Sequence, residues 1–174
     1  MAQYLGPLEL LGDRWVIGDP SREAGLFFVL TPEGLEHRQR GEAEPLSTVK
    51  WAKFVGLGVR ATYHHWQTSA ASGFFFAGSP NYDAGRDGCS LGGRVRGQYD
   101  DWSVRYTHHI RSYGVSHVIL LKALFAQLSD AKALDRLGDP AWLGAAVTEL
   151  SPYTSWYVPK GNRLVKKTIE TLGT

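Results

Sequence analysis

Histidine is the side chain most readily recruited to proton transfer or metal binding near neutral pH. Four of the six histidines in this chain form two adjacent pairs, His64-His65 in "TYHHWQ" and His108-His109 in "YTHHIR". Both pairs lie in segments that alternate apolar and polar residues as strands do, and neighbouring residues of a strand point to opposite faces. The alternation places His65 with Tyr63 and Val59 on an inner face, and His108 with Tyr106 and Ile110 on another. His64 and His109 then point outward beside Arg60, Thr62, Arg105 and Arg111. At most two imidazoles can converge on either face. Zinc takes three or four ligands, and no Cys, Asp or Glu on these strands completes a set. The flanking arginines also repel a cation. The reading is therefore no metal and no cofactor, with the inner pair packed and the outer pair open to an anion.

Other residues offer weaker chemistry. Cys89, the single cysteine, sits in the glycine-rich "DGCSLGG", where no helix N-terminus follows to lower its pKa, so no catalytic role is expected. The same glycines lack the Lys-Ser/Thr and helix of a phosphate-binding loop. His108 or His65 with Asp100 or Asp101 would be the acid-base set of a hydrolase-like enzyme, without a recognisable signature. The segment "GRVRGQYDDWSVRYTHHIRSY" interleaves Arg94, Arg96, Arg105 and Arg111 with Tyr99, Trp102, Tyr106 and Tyr113. Arginines on phosphates and aromatics on bases hold single-stranded nucleic acid, provided the rings are exposed. Here Trp102 and Tyr106 share the apolar phase, which assigns them to the core. The three phenylalanines of "GFFFAG" cannot all face one core, so Phe75, or else Phe74 and Phe76, needs a second apolar surface, supplied by the C-terminal helices or by a subunit or partner interface. Trp156 and Tyr157 of "SPYTSWYVP" are further candidate contacts.

These residues are positioned by strands first and helices last. "LELLGDRWVIGD" reads as a strand through Leu8, Leu10, Trp15 and Ile17. Leu26–Leu30 and the alternation from Leu35 form a hairpin about Thr31-Pro32-Glu33-Gly34, with Gly34 expected to close it in the left-handed conformation. From Val55 the chain alternates strictly, with Val55, Leu57, Val59, Ala61 and Tyr63 on one face. Gly56 and Gly58 on the other signal a bend or a close backbone approach. "SGFFFAG" is a short strand, residues 78–98 read as a long loop or weak hairpin, and "DDWSVRYTHHI" alternates again. The period then changes. "SHVILLKALFAQL" carries Val118, Leu121, Phe125 and Leu128 on one helical stripe. Ser129 or Asp130 can cap a short helix ending at Gly138, Asp139-Pro140 start another, and a last helix runs from Asn162 to Leu172.

The chain has 174 residues, 43% hydrophobic and 21% charged, as a folded domain does. One cysteine excludes an internal disulfide, and no basic-then-apolar leader opens the sequence, so a cytoplasmic protein is expected. No apolar run is long enough to span a bilayer. Net charge is +2, with basic residues gathered in the middle and in the "KGNRLVKK" tail, which favours an anionic partner.

About seven short antiparallel strands followed by a helix resemble a pleckstrin-homology-like barrel whose open end the helix plugs. "LTPEGLEHRQR" followed by "EPLSTVKWAKFVGLGV" is similar to bacterial members of that superfamily, with Pro45, Leu46 and Val49 leading into the next strand. The resemblance covers residues 8–129. The first inter-strand loop, "GDPSREAG", lacks the spaced Lys/Arg cluster that holds inositol phosphates, so the resemblance implies the fold and not a lipid ligand. The expected class is α+β: a small antiparallel barrel or strongly bent sheet over 1–129, then a helical extension over 130–174 on the same core. The expected function is a non-enzymatic binding or scaffolding protein engaging a protein or peptide partner, with self-association as one route. A nucleic-acid-binding protein using the Arg-rich strand and basic tail is the alternative. The candidate binding residues are Arg60, His64, Arg94, Arg96, Arg105, His109, Arg111, Phe75, Trp156 and Tyr157, and no catalytic residue is assigned.

Overall fold

The computed structural model describes residues 3–62, 89–97, 101–154 and 161–173. Among them, antiparallel strands come first and α-helices last, so the fold is α+β. β1 (Tyr4–Leu5), β2 (Leu8–Leu11), β3 (Arg14–Ile17), β4 (Leu26–Leu30), β5 (Gly34–Gln39) and β6 (Ser47–Lys50) form one sheet in sequence order. β7 (Phe54–Arg60), β8 (Ser90–Val95) and β9 (Trp102–Arg105) form a second.

Local chemistry explains most of the turns and several departures from the sequence reading. The segment expected to run straight from Leu8 to Ile17 doubles back at Gly12-Asp13, and a further hairpin turns at Gly6-Pro7. In each two-residue loop the first position is a glycine, with φ +63° at Gly6 and +64° at Gly12. A positive φ there is the type II′ arrangement, whose twist matches that of the flanking strands. The β4–β5 turn falls at Thr31–Gly34 as expected, closed by Thr31 N–H to Gly34 O at 2.9 Å. Gly34 does not, however, serve by taking a left-handed φ. A Cβ on it would lie 2.3 Å from the Val49 carbonyl oxygen, so β6 passes too close for any side chain.

In the second sheet the register slips between Phe54 and Gly56. This bulge buries Phe54 and leaves Val55, expected inside, 48% exposed. The bend or close approach anticipated at Gly56 and Gly58 is met at Gly56 alone, where the register slips and where a Cβ on Gly93 would lie 2.2 Å from the Gly56 oxygen. The stretch 78–98, read as a long loop or weak hairpin, contains strand β8. "SGFFFAG" lies outside the described residues.

The two sheets are tied at corners. β6 passes through a 3₁₀ turn, Trp51–Lys53, directly into β7. Beyond β9, Thr107 enters between the ends of β3 and β4: its carbonyl accepts from Asp19 N–H at 2.9 Å and its N–H donates to Leu26 O at 2.7 Å. Among the described residues the strands do not close into a barrel.

α1 (Val115–Asp130) packs along β7 and is studded with buried apolar residues, Val118, Leu121, Phe125 and Leu128 among them. Ser129 belongs to this helix rather than capping the next one. Its hydroxyl accepts from Leu57 N–H at 3.0 Å and so satisfies the edge of β7. A 3₁₀ turn, Leu134–Gly138, leads to α2 (Pro140–Leu150). Asp139 caps α2 as its sequence requires, accepting from Ala141 and Trp142 N–H at 3.0 Å each. α3 (Gly161–Leu172) stops at Gly173, which has φ +76°. Side chains from both sheets and all three helices, including Trp15, Phe28, Leu57, Leu91, Leu124, Leu143 and Val165, form one continuous core. No helix among the described residues is long and apolar enough to cross a membrane.

The glycines give a direct test. Gly34→Ala is expected to destabilise by about 2 kcal/mol or more, because backbone must move to admit the methyl group. Gly58→Ala meets only the Gly92 oxygen at 3.7 Å, and is expected to stabilise by about 0.4–1 kcal/mol through the unfolded chain. Urea unfolding of both variants measures the contrast, and equal losses would refute it.

Candidate functional site

Cross-strand partners share a face of a sheet. In the second sheet Gly56 pairs with Arg94, Gly58 with Gly92 and Gly92 in turn with Ser103, and Arg60 with Ser90 and Ser90 in turn with Arg105. These three rows form its outer face. Phe54, Leu57, Val59, Leu91 and Val95 are buried on the other. Three of the predicted arginines, Arg60, Arg94 and Arg105, are thus brought to one surface from three different strands. With strands about 4.8 Å apart, Arg60 and Arg105 stand roughly 10 Å from one another across the sheet, and Arg94 lies about 13 Å along it. Between them the floor is almost bare backbone. The result is a trough of about 680 Å³ lined by Val55–Arg60, Gly92–Arg94, Ser90, Ser103 and, at one end, Asp101 and Trp102.

The floor glycines have no evident packing reason. Gly56, Gly58 and Gly92 have none of the positive φ values that demand glycine. Among the described residues, an added Cβ would meet nothing within 4 Å at Gly56, and only ordinary contacts at 3.7 Å and 3.6 Å at Gly58 and Gly92. Interior strand glycines weaken a strand and mark places where a ligand or another backbone approaches closely. The alternation in "VGLGVR" and the "LGGR" of β8 carried this signal in the sequence, but only the register shows that they form one floor.

The other predicted residues part company with this face. Arg96 follows β8, its N–H bonded to Lys53 O at 2.8 Å, and lines a separate cavity. The outward placement of His109 and Arg111 is overturned. β9 ends at Arg105, so the alternation stops before the histidines. His108 and His109 are both only 5% exposed, and Ile110, expected inside, is 67% exposed. Arg111 is engaged internally: it donates to Glu9 Oε2 at 2.7 Å and Gly6 O at 3.0 Å, and its guanidinium lies 4.3 Å from the Tyr4 ring centre. His64, Phe75, Trp156 and Tyr157 lie outside the described residues, as do His65 and Asp100.

The buried histidines belong to a polar joint that sequence reasoning missed, since Glu9 and Tyr113 carry no local signal. The Tyr113 hydroxyl accepts from His109 N–H at 3.0 Å and stands 2.7 Å from His109 Nδ1. Both contacts are satisfied when the hydroxyl donates to Nδ1, which leaves the proton of a neutral imidazole on Nε2. Nε2 then faces Glu9 Oε2 at 3.5 Å without a hydrogen bond. Burial, reinforced by the Arg111 charge, holds His109 down at about 4 from an ordinary 6.5. The contact with Glu9 is therefore not an ion pair at neutral pH. His108 stacks on Tyr113 with ring centres 4.1 Å apart and reaches the Thr62 carbonyl at 3.1 Å. The Tyr106 hydroxyl donates to Arg60 O at 2.7 Å. Cys89 is 1% exposed at the entry to β8 rather than in an open loop, and burial pushes its thiol up, away from a reactive thiolate. Asp101 and His108 sit beyond opposite ends of β9, so they form no acid-base pair. Among the described residues, no group of three or more His, Cys, Asp or Glu is placed to hold a metal.

The joint makes stability depend on pH with a definite sign. His109 is neutral in the folded chain down to about pH 4, whereas it titrates at 6.5 when unfolded. The unfolded state binds more protons in that window, so its contribution is full above 6.5 and is lost as pH falls from there. The loss is on the order of 2–3 kcal/mol by pH 4. His109→Gln should lessen the slope of unfolding free energy between pH 4 and 6.5. Identical slopes would show that His109 is not the group responsible. No family model matches the chain, and no curated protein or solved structure matches it significantly, so the outer-face trough stands on its own geometry.

Proposed function

We propose that the protein is a non-enzymatic binding module that receives an extended acidic segment of a protein partner in the trough of the β7–β9 sheet. The observation that carries this reading is that Arg60 and Arg94 line a glycine floor, with Arg105 on the same face of the sheet. Arginine forks suit carboxylates, and a floor without side chains lets another backbone lie against the sheet. The overall architecture is proposed to be a divergent pleckstrin-homology-like one. Its support is the order of bent antiparallel strands and then a helix, α1, packed on the second sheet.

A nucleic-acid partner would call on the same arginines but also on exposed rings. Trp102 instead sets its ring edgewise against Phe28 and Phe54, at 6.1 Å and 5.5 Å between centres, while Tyr106 and Tyr113 are 2% and 3% exposed. Among the described residues, these three rings pack inward rather than standing free for the stacking on which single-strand binding depends. Acidic polypeptide remains the better fit.

The test is anisotropy of a labelled ten-residue peptide alternating Glu and Ser, beside a labelled single-stranded oligonucleotide. Peptide binding is expected to weaken about tenfold in Arg94→Glu, a loss of about 1.4 kcal/mol. Gly58→Val, which fills the floor, should weaken it by a similar factor with the fold intact by circular dichroism. Tighter binding of the oligonucleotide, falling steeply with salt, would transfer the face to nucleic acid. A stable dimer in light scattering with no peptide binding would point to self-association instead.

A further inference from the structure

Val55, which lines the trough, also lines a second cavity of about 460 Å³, together with Trp51, Ala52, Phe54, Arg96, Ser129, Lys132, Leu134 and Asp135. We propose that this cavity binds a carboxylate carried on an apolar body, either a free acid or the end of the chain occupying the trough. Val55 lines both cavities, so one partner can fill them in sequence. This inference stands on its own residues and survives if the trough reading fails.

Three observations carry it. The first is the wall, formed by the largely buried Trp51, Phe54 and Leu134 and the half-exposed Val55. That gives an aromatic and aliphatic lining suited to an apolar body. The second is charge. Arg96 and Lys132 line the same cavity with Asp135 as the single opposing carboxylate. None of the three is in an ion pair among the described residues. Two cations against one acid leave the cavity positive.

The third is strain. α1 ends in a Schellman motif, with Ala133 N–H donating to Leu128 O at 2.9 Å and Lys132 N–H to Ser129 O at 3.1 Å. The residue between cap and exit in that motif is left-handed and is usually glycine. Here it is Lys132, at φ +56°. A side chain is strained in that conformation, and strain kept beside a cavity is a sign of function. The cation is held where glycine would fold better. The Gln127, Leu128 and Ser129 carbonyls each accept from a backbone N–H within the motif, so they turn no unpaired oxygen toward the ligand's carboxylate, which is held by the two cations.

The experiment uses phenylacetate as probe, with phenethylamine as the same body bearing the opposite charge. Amide shifts of Lys53, Val55 and Lys132 report on the site. Phenylacetate should saturate with a Kd on the order of millimolar, as suits so small a ligand, while phenethylamine leaves these amides unmoved. Lys132→Gly should weaken phenylacetate at least fivefold while Tm stays equal or rises by about 2–4 °C. Arg96→Gln should weaken it comparably, and Arg94→Glu, which tests the trough, should leave it unchanged. A heptapeptide ending in a free Phe carboxylate, compared with its amide, separates the chain-end source from the free acid. Equal shifts with acid and amine, absence of saturation, or unaltered binding in both the Lys132 and Arg96 variants would overturn the proposal.

Discussion

The structure depends on burying a run of polar residues at the point where the two sheets and α1 meet. Residues 106–113 leave β9 and pass through this joint, and the polar groups they carry inward are met by partners there, His109 Nε2 excepted. Thr107 supplies backbone bonds to Asp19 and Leu26, Tyr106 reaches Arg60 O, Tyr113 serves His109, and Arg111 fastens Glu9 and Gly6 O. Removing one partner would leave a buried donor or acceptor uncompensated, which is costlier than the bond itself is worth. The joint also orients the candidate site, because Tyr106 grips the backbone of Arg60 at the trough's end. An adjacent histidine pair that looks like reactive chemistry is, in the fold, the fastening of two sheets.

Glycine has two distinct meanings in the molecule. At Gly34, Gly93 and Gly138 an added Cβ would sit 2.2–2.4 Å from a backbone oxygen, so packing demands glycine. At Gly56, Gly58 and Gly92 the described surroundings allow a side chain, and its absence opens the trough. Packing accounts for the first set, whereas among the described residues nothing packs where the second set's side chains would lie. Lys132 repeats the pattern in reverse, keeping a side chain where the backbone favours none. Departures of this kind, where local preference yields without structural cause, are where function is expected to reside.

Local sequence determined the class of fold and many of its parts. The apolar stripe of α1, the Asp139-Pro140 start of α2, the Gly173 stop of α3 and the Thr31–Gly34 turn all follow from interactions within a few residues. The inward phase of Trp102, Val104 and Tyr106 was equally legible, because alternation needs only the pleat. Tertiary structure decided the rest. The bulge at Phe54–Gly56 exchanged Phe54 for Val55 in the core, and the end of β9 at Arg105 cancelled the alternation through His108 and His109. Neither event has a signal in the residues next to it. The pairing of Arg94 with Gly56, and the row that runs from Arg60 through Ser90 to Arg105, bring together residues up to 45 positions apart. Side-chain type and spacing could nominate those arginines, since charge and phase are local. Only strand register, set by burial of the opposite face, could place them around one floor.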